Sequence, residues 1–411
     1  MYMESLPDEL LWKILHGCVS SRMDGLASVE KNWSRVLQSY VRSVKNISND
    51  PELYTLARKT SLESLVLSPC TSLVVDLSPI SNLRKLQWLE LSNCASLVDL
   101  SPISSLTNLN SLILSPCTSL VDLRPISNLR KLRWLNLSQC SSFVDLSPIS
   151  GLTNLDSLKL SDCSNLVDLS PISGLRKLKL LDLFYCSSLI DMTPISSLFS
   201  LQWLNLVHCT NLVDMTPISN LTALTSLFFN CHTGNKITQL STLTALKDLI
   251  LWGWSSLDDL SPLANLTALN SIKIRSGCTR LVDFAPLANL TKLDLTLNYW
   301  GETILDIAPL ANLTTLTELD LKWCLNLVDL RPLANLTTLQ KLDLRGCKSI
   351  IDLSPLANLT TLQKLDLWGC KSIIDLSPLA NLTTLEELSL GLCVKIVDLS
   401  PLTGLTALRF F

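Results

Sequence analysis

Apolar residues recur at fixed intervals along almost the whole of this 411-residue chain. Prolines mark the interval, because they return every 23 residues from Pro79 to Pro217 and again from Pro286 to Pro401. Each copy approximates L-x-x-L-x-L-x-x-C-x-x-L-x-D-L-S-P-[IL]-x-x-L-x-x, as from Leu86 to Asn108. This period predicts a solenoid, in which each unit packs only on its neighbours and function lies on a surface built by repetition.

Within one unit, the pattern predicts a short strand followed by a tight turn. Leu89 and Leu91 point inward and Glu90 outward, which is the alternation of a strand with one covered face. Ser101 and Pro102 predict the start of a short helix or 3-10 turn, because serine can cap it and proline has no N–H to leave unpaired. The expected fold is an α/β solenoid, a horseshoe with a parallel concave sheet and short convex helical turns.

Thirteen of the fourteen cysteines occupy one repeat position, where the chain leaves each strand. They are Cys70, Cys94, Cys117, Cys140, Cys163, Cys186, Cys209, Cys231, Cys278, Cys324, Cys347, Cys370 and Cys393. A small, weakly hydrogen-bonding side chain suits a buried corner, and parallel Cβ vectors make disulfide geometry awkward. We therefore expect these cysteines to be reduced and structural.

An aspartate also recurs in almost every unit, two residues before the turn. This row comprises Asp76, Asp99, Asp122, Asp145, Asp168, Asp191, Asp214, Asp259, Asp283, Asp306, Asp329, Asp352, Asp375 and Asp398. A carboxylate ladder is one way to hold calcium, but one acceptor per turn for backbone amides explains the same spacing. The structural role is the preferred interpretation.

Composition narrows the function classes. The net charge is −3 without a polybasic run, so nucleic acid and membrane surfaces are not expected partners. Acidic residues near the start and the lack of a long apolar run predict a cytoplasmic or nuclear protein that is not secreted. The only histidines are His16, His208 and His232, and no catalytic or phosphate-binding motif accompanies them. We expect His208 and His232 to be ordinary surface residues at strand ends, and we expect no enzyme, no metal and no cofactor.

The repeats resemble those of a known family. The phrase from Ile374 to Leu385, I-D-L-S-P-L-A-N-L-T-T-L, is similar to the leucine-rich repeats of bacterial internalins and related phosphatase regulators. The resemblance spans about residues 62 to 408. Cysteine in place of their usual asparagine, and one extra residue per unit, bring the chain toward the cysteine-containing repeats of F-box proteins.

The first forty residues resemble the F-box, whose pattern is L-P-x-E-[IL]-x-x-x-I-L followed by V-x-K-x-W. The positions that match are Leu6, Pro7, Leu10, Ile14, Leu15, Val29 and Trp33. By that resemblance they contact a Skp-type adaptor of a cullin ubiquitin ligase. The alternative is that these helices merely cap the first repeat. The expected domains are an F-box-like bundle (1–45), a joining segment (46–61) and a solenoid of about fifteen units (62–411).

The resemblance implies a substrate-recognition subunit of a Skp-cullin-F-box ubiquitin ligase, with an unknown protein target bound on the concave face. The predicted target-binding residues are Trp88, Trp134, Phe184, Trp203, Phe228, Trp252, Lys273, Arg275, Arg345 and Trp368. Exposed aromatic clusters are typical of binding sites, although the same rings can stack to cover the sheet. The alternative function is an interaction scaffold or effector outside the ubiquitin system.

Two departures from regularity stand out. The register falters between Cys209 and Cys324, and the strand near Leu293 cannot be placed uniquely from the pattern. In contrast, residues 336–358 and 359–381 are identical except for Arg345 against Trp368. That pair of units indicates an internal duplication whose one difference lies on the outward face.

Overall fold

The structure, a computed structural model, describes residues 62–67, 76–143, 145–230, 237–252, 259–275, 285–288, 290, 293–298 and 307–410. In these residues sixteen strands form one parallel sheet, and each strand pairs with the next along the chain. Backbone hydrogen bonds therefore run from unit to unit without a crossover. The predicted solenoid with a parallel sheet is confirmed.

Most strands are only three to five residues long, because each unit turns away once its inward leucines are buried. The strands are β1 (Ser64–Val66), β2 (Trp88–Glu90), β3 (Ser111–Ile113), β4 (Trp134–Asn136), β5 (Ser157–Lys159), β6 (Leu180–Asp182), β7 (Trp203–Leu206), β8 (Ser226–Asn230), β9 (Asp248–Trp252), β10 (Ser271–Arg275), β11 (Leu293–Asn298), β12 (Leu316–Asp320), β13 (Lys341–Asp343), β14 (Lys364–Asp366), β15 (Glu387–Ser389) and β16 (Arg409–Phe410). The unplaced segment near Leu293 is thus β11, and its pairing with β12 shifts register after Leu293.

Each described strand except the last is followed by a 3-10 turn on the opposite side of the solenoid. The turns are Ser78–Asn82, Ser101–Ser105, Arg124–Ile126, Ser147–Ile149, Ser170–Ile172, Thr193–Ser197, Thr216–Asn220, Thr238–Thr242, Ser261–Leu263, Ala285–Leu287, Ala308–Leu310, Arg331–Leu333, Ser354–Leu356, Ser377–Leu379 and Ser400–Leu402. The expectation that serine caps these turns is wrong. Ser101 is the first residue of its turn, and the preceding Leu100 makes no side-chain cap.

The recurring aspartate supplies the missing acceptor. Asp99 Oδ1 accepts the backbone N–H of Ser101 at 2.7 Å, and Asp375 Oδ1 accepts that of Ser377 at 2.8 Å. The same bond, at 2.7–2.9 Å, is made by Asp76, Asp99, Asp122, Asp145, Asp168, Asp191, Asp214, Asp259, Asp329, Asp352, Asp375 and Asp398. Hydrogen bonds from Ser377 hold the pKa of the Asp375 carboxyl below its usual value. The recurring aspartates therefore have a structural role, which is the interpretation that the sequence analysis preferred.

The cysteines form a second ladder at the other corner of each unit. The thiol of Cys163 donates to the carbonyl of Leu137, 26 residues earlier, at 3.3 Å. Equivalent bonds of 2.9–3.3 Å are made by Cys117, Cys140, Cys186, Cys209, Cys347, Cys370 and Cys393. Nine described cysteines are free and buried. Cys94 is disulfide-bonded, so the expectation of a wholly reduced ladder is wrong there.

Inward leucines, with isoleucine at the turns, form one continuous apolar core along the described units. Phe143 replaces a leucine in this core and is fully buried. A row of β-branched residues before each aspartate is more than half exposed, as at Val213 and Val397, where the extended backbone favours that side-chain type. No helix in the described part of the chain has the length and apolar character to cross a membrane.

Alkaline pH should destabilise the solenoid through its buried thiols. Burial raises the pKa of Cys163, Cys209 and Cys370 to about 12, whereas an unfolded thiol titrates near about 8.5. Their contribution is therefore complete below pH about 8.5 and is lost as pH rises toward about 12. Anaerobic urea unfolding at a series of pH values should show this loss. Cys163→Ala should flatten the slope by about 1 kcal/mol per pH unit, and an unchanged slope would contradict the assignment.

Candidate functional site

The concave face is the side of the sheet opposite the 3-10 turns, and its outward side chains form three columns. The first column comprises Trp88, Ser111, Trp134, Ser157, Leu180, Trp203, Ser226, Asp248, Ser271, Asp294, Glu318, Lys341, Lys364 and Glu387. The second column lies two residues later and runs from Glu90 to Ser389. The third lies two residues later again and includes Phe184, Trp252, Lys322, Arg345 and Trp368.

In the N-terminal half, large and small residues alternate down the first column. The rings of Trp88 and Trp134 meet edge to face, with centroids 5.9 Å apart, across the strand that carries Ser111. Ser111 is buried and both tryptophans are half-buried. The rings therefore cover part of the sheet, as the alternative interpretation of the aromatic residues held.

The centre of the face is closed rather than open. Trp203 is only 2% exposed and packs edge to face on half-buried Phe228 at 5.2 Å, so the expectation that Trp203 is exposed is wrong. Its strand, β7, is buried on both faces, which the alternation of the sequence does not reveal. Lys159 and Asp182 are buried beside it, and burial raises the pKa of Asp182.

An aromatic cluster that the sequence pattern does not reveal lies where strands β6 and β7 end. His208 contacts Tyr185, Phe184 and Trp252 with ring centroids 5.0, 5.5 and 5.9 Å apart. Tyr185 and His208 have φ of 61° and 65°, in the left-handed region that bulky residues rarely adopt. His208 is therefore part of a ring cluster rather than an ordinary surface residue. The sequence signal for this placement is that His208 directly precedes a corner cysteine. Residues at that position have positive φ in unit after unit.

The C-terminal half carries an open groove of about 780 Å³. Its floor and walls come from β10 to β15. Half of the lining residues are charged, namely Lys273, Asp294, Glu318, Asp320, Lys341, Asp343, Arg345, Lys364, Asp366 and Glu387, and Trp368 lines the groove beside them. Lys273, a predicted site residue, is half-buried here. The side chain of Arg275 lies outside the described part of the structure.

The charges of this groove are mostly paired between neighbouring strands. Lys364 Nζ lies 2.6 Å from Glu387 Oε1, and Lys341 makes the same type of ion pair with Glu318. The guanidinium of Arg345 donates hydrogen bonds to the carboxylate of Asp366 on the next strand. The interaction with Asp366 raises the pKa of Arg345 above its usual value.

Two exposed tryptophans of the C-terminal half lie over glycines, and one of them, Trp368, lines the groove. Trp368 is 37% exposed, and a Cβ atom at Gly391 would overlap its ring. Trp323, with φ of 64°, lies over Gly346 in the same way. The two rings meet edge to face with centroids 6.2 Å apart. Glycine at these positions therefore makes room for exposed indole rings.

No group of three or more histidine, cysteine or acidic residues within the described ranges has an arrangement suited to a metal ion. The predicted adaptor-binding residues lie outside the described residues. They are Leu6, Pro7, Leu10, Ile14, Leu15, Val29 and Trp33.

Family profiles match both halves of the repeat region. A BspA type leucine rich repeat region matches residues 57–167 and 139–260, and a profile for two leucine rich repeats matches residues 337–381. The chain is a leucine-rich repeat protein. Such a protein is a scaffold for protein interactions, and the comparison found no F-box domain in it. A search of curated protein sequences found no match.

Solved structures show the same architecture for this leucine-rich repeat protein. An internalin from Listeria monocytogenes is 27% identical, with 93% of this chain and 94% of that one covered and a TM-score of 0.52. A leucine-rich repeat protein from Leptospira interrogans is 20% identical, with 90% and 100% covered and a TM-score of 0.61. The first supports the internalin-like resemblance of the repeats, and the second supports the fold.

Two tryptophans of the leucine-rich repeat protein should differ in what they stabilise. Trp203→Ala should lower the free energy of unfolding by about 3–5 kcal/mol, because it empties a buried site. Trp368→Ala should cost about 1 kcal/mol or less, because its ring is more than one-third exposed. Urea denaturation of both variants measures the difference. Equal losses would mean that Trp368 is also a packing element.

Proposed function

We propose that this leucine-rich repeat protein is a non-catalytic recognition protein whose concave face binds a protein partner. The observation that carries the proposal is the open groove of the C-terminal half, with exposed Trp368 beside ordered charges. Tryptophan and arginine are enriched where binding energy concentrates, and larger exposed apolar groups usually mark interaction sites.

Within this proposal the predicted target-binding residues described below have three different roles. Arg345 and Trp368 are exposed and contact the partner directly. The half-buried aromatics of the N-terminal half extend the same surface, whereas Trp203 supports Phe228 from a buried position. Partner binding on Trp88, Trp134, Phe184 and Trp252 stays a prediction.

A second candidate function rests on the N-terminal sequence. We propose that Leu6, Pro7, Leu10, Ile14, Leu15, Val29 and Trp33 bind a Skp-type adaptor, so that the solenoid presents its target to a cullin ubiquitin ligase. Ubiquitin transfer would then be performed by partner subunits in the cytoplasm or nucleus. The motif at these positions supports this proposal, and the concave-face proposal stands without it.

The first proposal predicts that Trp368→Ala weakens partner binding by about 2 kcal/mol, or roughly 30-fold in affinity. The partner is first identified by capture on the full chain and then purified, so that affinity is measured by calorimetry. Phe199→Ala is a matched control, because this exposed aromatic residue follows a 3-10 turn on the opposite side of the solenoid. Equal affinity of wild type and Trp368→Ala, with loss in Phe199→Ala, would move the binding site away from the concave face.

The adaptor proposal predicts that the full chain binds a purified Skp-type adaptor and that Leu10→Asp or Ile14→Asp abolishes the complex. An unpaired carboxylate on an apolar helical stripe would be costly to bury in such an interface. Size-exclusion chromatography of the mixed proteins tests this, with circular dichroism to check that the repeats remain folded. A folded wild-type chain that forms no complex would rule out the ubiquitin-ligase role and leave the scaffold role intact.

A further inference from the structure

The groove in the C-terminal half contains three stacked aspartates that have different partners. Asp320, Asp343 and Asp366 follow one another down the second column on β12, β13 and β14. Each accepts the backbone N–H two residues later with Oδ1, at 2.9–3.0 Å. That bond fixes each carboxylate at a strand end and leaves Oδ2 for another contact.

The outer two aspartates are held in ion pairs and the middle one is not, although the charge of Arg345 lies near enough to lower its pKa. Asp320 pairs with Lys322 on its own unit, and Asp366 pairs with Arg345. Asp343 makes no ion pair with any residue that the structure describes, because Arg345 turns toward Asp366 and Lys341 turns toward Glu318. Burial raises the pKa of Asp343, and the two flanking carboxylates raise it further.

The charge balance of the groove specifies the sign of its ligand. Of the basic side chains that line the groove, Lys341, Arg345 and Lys364 are each engaged in an ion pair with a groove carboxylate, and the charge of Lys273 stabilises the carboxylate of Asp294. The lining carries six carboxylates against these four basic groups. An anionic ligand would have to break one of these pairs. A cation would instead neutralise Asp343 without breaking any of them.

The indole ring beside these carboxylates favours the same ligand. Trp368 lines the groove together with Asp343, and its ring lies over Gly391 with more than one-third of the side chain exposed. An ammonium or guanidinium group over an indole face gains cation–π energy, and tryptophan is the best ring for this. A bare metal ion is disfavoured, because the described carboxylates do not group as metal ligands.

We propose that this groove binds a lysine or arginine side chain of an extended segment of the protein partner, with the cation between the carboxylate of Asp343 and the ring of Trp368. The inference rests on the proposed concave-face function and specifies the chemistry of the partner. The opposite arrangement, an acidic or wholly apolar segment, becomes an outcome of the test.

The two duplicated units explain how the site arises from one substitution. Residues 336–358 and 359–381 differ only in Arg345 against Trp368. Arginine at 345 neutralises Asp366, and tryptophan at 368 supplies a ring where a second arginine would place a competing cation. Trp368→Arg makes the units identical and should therefore close the site to basic ligands.

The test selects ligands from a random-peptide phage library on the immobilised full chain. Peptides enriched on the wild type should carry lysine or arginine.

The best peptide, synthesised with a fluorescent label, should bind about tenfold more weakly to Asp343→Asn and to Trp368→Arg in anisotropy titrations. The amide introduced by Asp343→Asn keeps an Oδ1 acceptor for the N–H of Arg345, so this variant should unfold at the wild-type temperature. Glu90→Gln, in the same column at the other end of the sheet, should bind within about twofold of the wild type.

Replacement of the peptide's basic residue by norleucine provides the decisive comparison. It should weaken binding to the wild type about tenfold and have little further effect on Asp343→Asn, because the two changes remove one interaction. Enriched peptides without a basic residue, or equal norleucine losses on both proteins, would overturn the inference. If such peptides still compete with the captured partner, the concave-face function survives. If no peptide is enriched, the inference fails, and the partner titration with Trp368→Ala judges the function separately.

Discussion

The stacking of each unit's inward leucines on those of the next is the constraint on which the other features depend. A unit of 23 residues is too small to bury its apolar face alone, so every strand must align with its neighbours. The sixteen described strands therefore follow one another in chain order, and leucines such as Leu135 and Leu158 are fully buried between them. Regular stacking also fixes the outward columns, since residues 23 apart arrive at adjacent places.

Each corner of a unit needs a partner for backbone groups that the sheet does not use. Asp99 and its equivalents accept the N–H groups of the turns, and Cys163 and its equivalents donate to strand carbonyls of the preceding unit. Both corners are satisfied by side chains that repeat with the leucines. The outward columns are consequently free to vary, and the variation there is what distinguishes one part of the concave face from another.

The two halves of the concave face use that freedom differently. Toward the N-terminus, large aromatic rings on alternate strands contact each other above a small residue on the strand between them, as Trp88 and Trp134 do across Ser111. These rings therefore cover the sheet. Toward the C-terminus, charges pair across strands and leave a groove in which Asp343 and Trp368 stay available. The second arrangement suits recognition, because its polar groups are already ordered before a partner arrives. Second-column aspartates also show that one side chain can stabilise a strand end and face a ligand.

The sequence by itself determined the repeat, the inward leucines, the parallel sheet and the structural role of the aspartate row, because each depends only on the period. Only the tertiary structure decided that Trp203 is buried, that His208 joins an aromatic cluster and that Cys94 is disulfide-bonded. It likewise decided that Arg345 pairs with Asp366, so that Asp343 forms no ion pair with the residues that the structure describes. A period states which residues share a column, but the rotamers and sizes of residues on adjacent strands decide which of them touch.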